Sequence, residues 1–311
     1  MDKFRNILFV ADACKGEQAA LSKILRVAHQ TRASVTVMDV VALFPGNFYS
    51  AGTSFDFDEW QQKVKQTAHE RLEQLVKNCA RSVPLPNLVI REGVDYIEII
   101  RQVNEGHHDL VAKAAATDSS FADVLFGLLD MHLLRKCPCP VLIIKPRKKI
   151  VHPHVVVALD IDEPGPKGEA MHLLILDHAA GIAGFEEGSL DILHAWTLPY
   201  EQNLRREEKT KDIKTVDILL KETRKRKQQR LEALSERWDL LEPRVHLIKG
   251  IAQEVIPRFV RDHGSDLLVM GTVGRTGIKG FFMGNTAEKI LHALNCSVLA
   301  IKPQGFKSPV S

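Results

Sequence analysis

Cysteine is scarce in this chain of 311 residues, and its five copies, at 14, 79, 137, 139 and 296, are odd in number and scattered. That pattern excludes the paired framework of a small secreted, disulfide-stapled domain. Long apolar runs are missing as well. No stretch approaches the roughly eighteen apolar residues that a membrane-spanning helix requires. The run Ile7–Ala11 behind Lys3 and Arg5 is too short for a signal peptide and ends at Asp12 without a cleavage-like site, so it reads as a first strand. The expected location is cytoplasmic. A net charge of +3 gives no reason by itself to expect nucleic acid or a membrane as partner. Catalytic signatures are absent too: there is no Gly-x-Ser-x-Gly, no His-Glu-x-x-His and no paired carboxylate in a recognisable frame. Cys137-Pro-Cys139 has neither Cys-x-x-Cys spacing nor a second pair at zinc-site spacing, and it reads as packing. His152-Pro-His154 reads as solvated, with a surface zinc site as the lesser alternative.

What the chain does contain is a repeat. Asp109–Pro146 lies without a gap over Asp266–Pro303 at a constant offset of 157, and ten of the thirty-eight pairs are identical. The matches include Asp109/Asp266, Gly127/Gly284, Leu134/Leu291, Cys139/Cys296 and the shared Val-Leu-x-Ile-Lys-Pro ending. Upstream, Gly93-Val resembles Gly250-Ile, and Phe9-Val-Ala-Asp12 resembles Val157-Ala-Leu-Asp160. A length of 311 residues with 45% apolar and 26% charged residues suits two soluble domains. Their expected limits are 1–147 and 152–303, joined by the short charged, proline-bounded linker Pro146–Pro153. Each half alternates apolar β-type runs with amphipathic segments, which predicts right-handed crossovers and a parallel sheet covered on both faces. Such sheets bind ligands beyond the carboxyl ends of their strands.

The second half carries the chemistry. Leu267–Met270 reads as a buried strand; Gly271, Gly274, Gly277, Gly280 and Gly284 follow, and then an amphipathic segment from Asn285 to Leu294. Glycines let a backbone approach a ligand closely, and a helix start offers unpaired N–H groups and a positive dipole end. Arg275 adds a cation, and Asn285 or Thr286 a side-chain donor. The loop is not a Walker loop, because no Gly-Lys-Ser/Thr follows, and it is not Gly-x-Gly-x-x-Gly.

Gly271-x2-Gly274-x9-Gly284-Asn285 resembles the ATP-binding signature of the universal stress proteins, with Asn where Ser or Thr is commoner. The words Gly-Thr-Val-Gly-Arg-Thr-Gly and Gly-Asn-Thr-Ala-Glu point to the tandem two-domain type. The resemblance implies an α/β fold of two tandem Rossmann-like domains, of the adenine nucleotide alpha hydrolase kind. Each would be a mostly parallel five-stranded sheet with helices on both faces, and the two would form an internal pseudo-dimer through Val141–Ile144 and Val298–Ile301. It also implies ATP or another adenine nucleotide as ligand, with or without Mg2+. Asp160 would lie near adenine and ribose, Ala195 would line the adenine, and Met270 with Gly271 would sit under the ribose. Gly274, Arg275, Gly284, Asn285 and Thr286 would hold the phosphates. With no positioned general base, the loop reads as holding nucleotide, with slow hydrolysis at most.

The first half lacks these features. Ala114, Thr117, Asp118, Asp123 and Leu128 stand where Gly271, Gly274, Arg275, Gly280 and Asn285 stand in the second. Cβ atoms and carboxylates there, including Asp130, are expected to exclude phosphate. The apolar run Val124–Leu129 reads as a plug for a vestigial cleft. The sharper alternative is a carrier pocket for an apolar or metal ligand, aided by Phe44, Phe48, Tyr49, Phe55, Phe57 and Trp60. The basic run Lys221–Arg230 reads as a solvated helix, and nucleic acid is disfavoured. The functional expectation is a nucleotide-dependent stress regulator acting through a protein partner that the sequence does not name, with homodimerisation open.

Overall fold

The computed structural model describes residues 4–43, 56–79, 84–116, 126–145, 152–162, 165–211, 215–273 and 283–310. The elements of the first repeat are β1 (Asn6–Val10), α1 (Glu17–Thr31), β2 (Ser34–Val41), α2 (Phe57–Cys79), β3 (Asn87–Glu92), α3 (Asp95–Glu105), β4 (Leu110–Ala114), α4 (Leu128–Lys136) and β5 (Val141–Ile144). Those of the second are β6 (His154–Ala158), α5 (Pro166–Phe185), β7 (Ser189–Trp196), α6 (Glu201–Lys211), α7 (Thr215–Ser235), β8 (Arg244–Lys249), α8 (Ala252–Asp262), β9 (Leu267–Gly271), α9 (Asn285–His292) and β10 (Ser297–Ile301). A 3-10 turn, Glu236–Leu241, follows α7.

The chain folds into two compact units, one of Met1–Ile150 with Thr272–Gly284 and Asn295–Ser311, the other of Val151–Gly271 with Asn285–Leu294. In the first unit the strands run β3-β2-β1-β4-β5, all parallel. Strand β10 then adds to β5 in antiparallel register, Val141 opposite Ala300 and Ile143 opposite Val298. This is the ladder expected between those two runs. It gives the first unit a sixth strand and leaves the second with four, β9-β6-β7-β8, all parallel.

The apolar runs explain the sheets. Strands buried on both faces need unbroken apolar sequence, and Val155, Val156, Val157, Leu267, Leu268 and Val269 are each at most 7% exposed. The helices cover those faces with stripes at helical spacing: Leu21, Ile24, Leu25 and Ala28 on α1, and Val255, Ile256, Phe259 and Val260 on α8.

Several repeat matches now have structural causes. Asp109 accepts the backbone N–H of Arg5 (2.7 Å) and Asn6 (3.0 Å), and Asp266 accepts that of His154 (2.9 Å), so each carboxylate holds the start of its unit's central strand. Gly93 and Gly250 turn their strands into the following helices at φ of 146° and 150°. A Cβ there would meet Glu98 Cγ at 2.9 Å or Val255 Cγ2 at 2.7 Å, so both positions require glycine.

Candidate functional site

In the second unit, α5 carries the chain from β6 outward to β7, and α8 carries it back to β9 on the other side of β6. The strand order therefore reverses between β6 and β9, and the carboxyl ends there face the crevice where ligands of doubly wound sheets bind. Asp160 lies two residues beyond β6, next to Leu159, whose N–H donates to Leu193 O (3.0 Å). Asp160 is exposed, and its carboxylate accepts the N–H of Asp162 at 3.4 Å. Ala195 is half-buried near the end of β7, opposite Ile248. Met270 is buried opposite Ala158.

Gly271 closes β9 where space is short. A Cβ would come within 3.0 Å of Met171 Cε and 3.5 Å of Ile175 Cδ1, both on α5, so a side chain at the strand end would fit only if Met171 moved aside. Beyond it, Gly284 N–H donates to Thr272 O (3.1 Å) and Val273 bridges Met283, so these four residues are held together. Gly274 and Arg275, which follow Val273, lie outside the described residues. Helix α9 then begins. Ala287, Ile290 and Leu291 face inward, while Asn285 and Thr286 are exposed on its first turn. There the first backbone N–H groups have no intrahelical acceptor. Asp160, Ala195, Met270 and Gly271 thus sit on the ends of three adjacent strands, and Asn285 with Thr286 opens the helix that follows β9.

Four groups around Asp160 were not legible as part of this site. His172, on α5 and 3% exposed, donates from Nε2 to Asp160 O at 2.8 Å. His194, beside Ala195, bonds Leu159 O through Nδ1 at 2.9 Å. Burial pushes the His194 imidazole below its usual range, against the pull of that carbonyl. Lys227 lies on the basic helix α7, yet it is 9% exposed and bonds to Asp162. It is the buried member of an otherwise solvated run, so that expectation is corrected at this one residue. The only sequence signal was His194 inside an apolar strand.

The matching crevice of the first unit is filled by its own side chains. Lys113, on β4 where the second unit has Met270, is 1% exposed. Its Nζ lies 2.7 Å from Asp12 Oδ2 and 2.9 Å from Asp130 Oδ1, the latter a charge contact more than an aligned hydrogen bond, and it donates to Ala114 O at 2.9 Å. Burial alone would lower the Lys113 pKa, but the two carboxylates outweigh it and hold it above the usual range. Asp130 is fully buried and accepts Gly127 N–H at 3.0 Å. Asp130 therefore occupies the crevice instead of repelling an anion from its rim. Leu128, in the place of Asn285, is 76% exposed. Thr117, Asp118, Asp123, Val124, Leu125, Phe44, Phe48, Tyr49, Phe55 and the linker residues 146–151 lie outside the described residues.

Among the described residues no three or more His, Cys, Asp or Glu side chains form a metal-holding group, and His154 Nε2 sits 2.8 Å from Asp191 Oδ2. No helix among the described residues is long and apolar enough to cross a membrane.

The model of the universal stress protein family matches residues 3–145 and again 153–302. The chain belongs to that family. It carries the family's domain twice, in tandem. Over its whole length it is similar to universal stress protein E of Escherichia coli strain K12, 27% identical over 320 residues that cover 98% of that protein. It is likewise similar to the universal stress protein E homolog of Haemophilus influenzae, 24% identical over 97% of this chain and 98% of the other. Among solved structures, a functionally unknown protein from Pseudomonas aeruginosa PAO1 superposes with a TM-score of 0.66 at 22% identity, covering 97% of this chain and 94% of that one. A universal stress protein from Archaeoglobus fulgidus does so with a TM-score of 0.66 at 18% identity, over 96% and 98%. At these identities the structural likeness speaks for the fold.

Proposed function

We propose that the second domain of this tandem universal stress protein binds ATP or another adenine nucleotide, and that the first does not. The supporting observation is the contrast between two crevices built from one repeat. One ends in a side-chain-free strand and an exposed helix start, whereas the other is closed by the ion group of Lys113, Asp12 and Asp130. In this reading Asp160 and Ala195 face the base and ribose, Met270 and Gly271 floor the ribose, and Gly274, Arg275, Gly284, Asn285 and Thr286 hold the phosphates. The domain limits 1–147 and 152–303 belong to the same proposal. Nucleotide held by the segment 271–284 alters a surface that a protein partner reads; the ligand shifts that state only by its differential affinity for it. Mg2+, where it accompanies the nucleotide, would offset phosphate charge, and the domain would hold the nucleotide instead of turning it over.

A second reading has one observation behind it. In the first unit a groove of about 430 Å³ runs beside α2, walled by Val41, Trp60, Val64 and Ala68, with Lys63 and the ion pair of Arg71 and Asp39 also on its lining. An apolar ligand fits those walls, with Lys63 to meet an acidic head.

One titration series separates the two. ATP, AMP and a fatty acid are titrated into the intact chain and into the Gly274→Trp, Asn285→Ala and Trp60→Ala variants. The nucleotide reading expects one ATP site per chain, abolished by Gly274→Trp, weakened about tenfold or more by Asn285→Ala, and untouched by Trp60→Ala. Absence of saturable ATP binding overturns it, and fatty-acid binding lost only in Trp60→Ala moves the function to the groove.

A further inference from the structure

Six residues of the first unit meet at the end of α4. Cys137, its C-terminal cap, and Cys139 are 0% and 9% exposed, with Sγ atoms 3.6 Å apart. Lys302, just past β10 and 5% exposed, donates to Leu134 O and, at 2.6 Å, to Thr272 Oγ1. The ring of Phe306 lies 5.2 Å from its ammonium. Among the described residues Lys302 makes no ion pair with a carboxylate. A buried ammonium without a counter-charge is costly, and the group nearby that can supply a negative charge is a thiolate.

We propose that Cys137 and Cys139 form a peroxide-oxidisable dithiol, with Cys137 as the attacking sulfur, Cys139 as the resolving one and Lys302 as the cation buried beside them. The geometry asks little of the chain: the two sulfurs need to close from 3.6 Å to about 2.05 Å for a disulfide, across one intervening proline. The electrostatics of the pair are lopsided in the sense required. Burial would raise the Cys137 pKa, but hydrogen bonding from Cys139 and the Lys302 charge bring it below its ordinary value. Cys139 is pushed well above, first by its hydrogen bond to Cys137 and then by burial. Lys302 is itself driven down by burial to about 8, with the two sulfurs pulling the other way. The remaining cysteines lack this setting. Burial and Asp12 push Cys14 up to about 12, burial raises Cys79, and Cys296 is buried in the core.

The step balances with a hydroperoxide as oxidant. The Cys137 thiolate attacks one peroxide oxygen, the O–O bond breaks, and the departing hydroxide takes up a proton as water, leaving a sulfenic acid. The Cys139 thiol then attacks that sulfur; the S–S bond forms, the S–O bond breaks, and a second water leaves. Two electrons pass from the sulfurs to the peroxide. Hydrogen peroxide is about the size of water and reaches the pair from the Cys139 side through local opening, so the reaction is slow but selective.

The proposal does not depend on nucleotide binding, and its test does not use nucleotide. The full-length reduced chain is exposed to graded hydrogen peroxide, quenched, alkylated in denaturant and mapped by tryptic mass spectrometry. The expected result is loss of two of the five thiols, with the peptide beginning at Cys137 lighter by two hydrogens and restored by dithiothreitol. Lys302→Met should slow that loss about tenfold, while Cys14→Ser leaves it unchanged. Should Lys302→Met fail to fold, the pH profile of the natural chain decides, because the rate should plateau with a midpoint below that of an ordinary thiol. Oxidation falling first on Cys14 or Cys79, over-oxidation of a single sulfur without a disulfide, or a midpoint at or above the ordinary thiol value overturns the proposal. So does an unchanged rate in a folded Lys302→Met chain.

Discussion

Lys113, Asp12 and Asp130 show how a duplicated crevice can be closed by a buried ion group. The second unit has Met270 and Ala287 at the places of Lys113 and Asp130, so a charged pair on one side stands against an apolar pair on the other. Removing one partner of a buried ion group leaves uncompensated charge and costs about 3–5 kcal/mol, whereas replacing both is often close to neutral. Lys113→Met should therefore destabilise the chain by about 3–5 kcal/mol in urea unfolding, and Lys113→Met with Asp130→Ala should recover at least half of that loss. A single variant costing under about 1 kcal/mol would mean that the triad does not hold the crevice shut. None of this was legible beforehand. Asp12 and Lys113 stand about a hundred positions apart, and Asp130 read as one more carboxylate that excludes phosphate because nothing in its neighbourhood in sequence announces full burial. Lys302 escaped for the same reason, since its partner Leu134 is 168 positions away. Lys227 was hidden by the company it keeps, being one cation among six on α7, and only the arrival of Asp162 singles it out.

Elements were far more legible than contacts, because apolar periodicity records burial directly. The run Leu267–Met270 and the stripe Ala287, Ile290, Leu291 became β9 and α9 as expected. The exception lies between β7 and β8, where the basic run Lys221–Arg230 read only as part of a solvated helix. The structure has α7 there, an additional helix α6 ahead of it and a 3-10 turn after it, with Trp238 at φ −119° inside the turn. Polar helix formers fill that stretch almost without interruption, so propensity supplied no break. Glycine positions carried more weight. Gly250 takes a φ of 150°, with Val255 Cγ2 only 2.7 Å from where a Cβ would be, so the entry to α8 needs both the backbone freedom and the missing atom. Gly250→Ala should lower stability by about 1–3 kcal/mol, read as a shift of the urea midpoint without a change of slope. Gly264→Ala, where nothing lies within 4 Å of the new atom, supplies the comparison: it carries the backbone strain of a φ of 61° without the clash. Equal losses at the two sites would show that space at Val255 plays no part.

At the scale of the whole molecule, the duplication and the family were readable because an offset of 157 aligns residues that the fold uses twice: Asp109 and Asp266 at strand starts, Gly93 and Gly250 at strand exits. The ladder of β10 on β5 was implied by the family resemblance; what the repeat could not reveal is that the segment after α9 therefore belongs with the first unit. If only the second domain holds nucleotide, ligand should stabilise the chain unevenly. At a hundredfold excess over its Kd a single ligand adds about 2.7 kcal/mol to the stability of the state that binds it. Hydrogen exchange of the intact chain with and without saturating ATP should therefore slow at β9, at the first turn of α9 and at the residues after β6. The corresponding amides after β1 and β4, beside Lys113, should exchange as before. Equal protection in both halves would mean either two sites or a global effect, and a measured stoichiometry of two per chain would decide for two sites and against a closed first crevice.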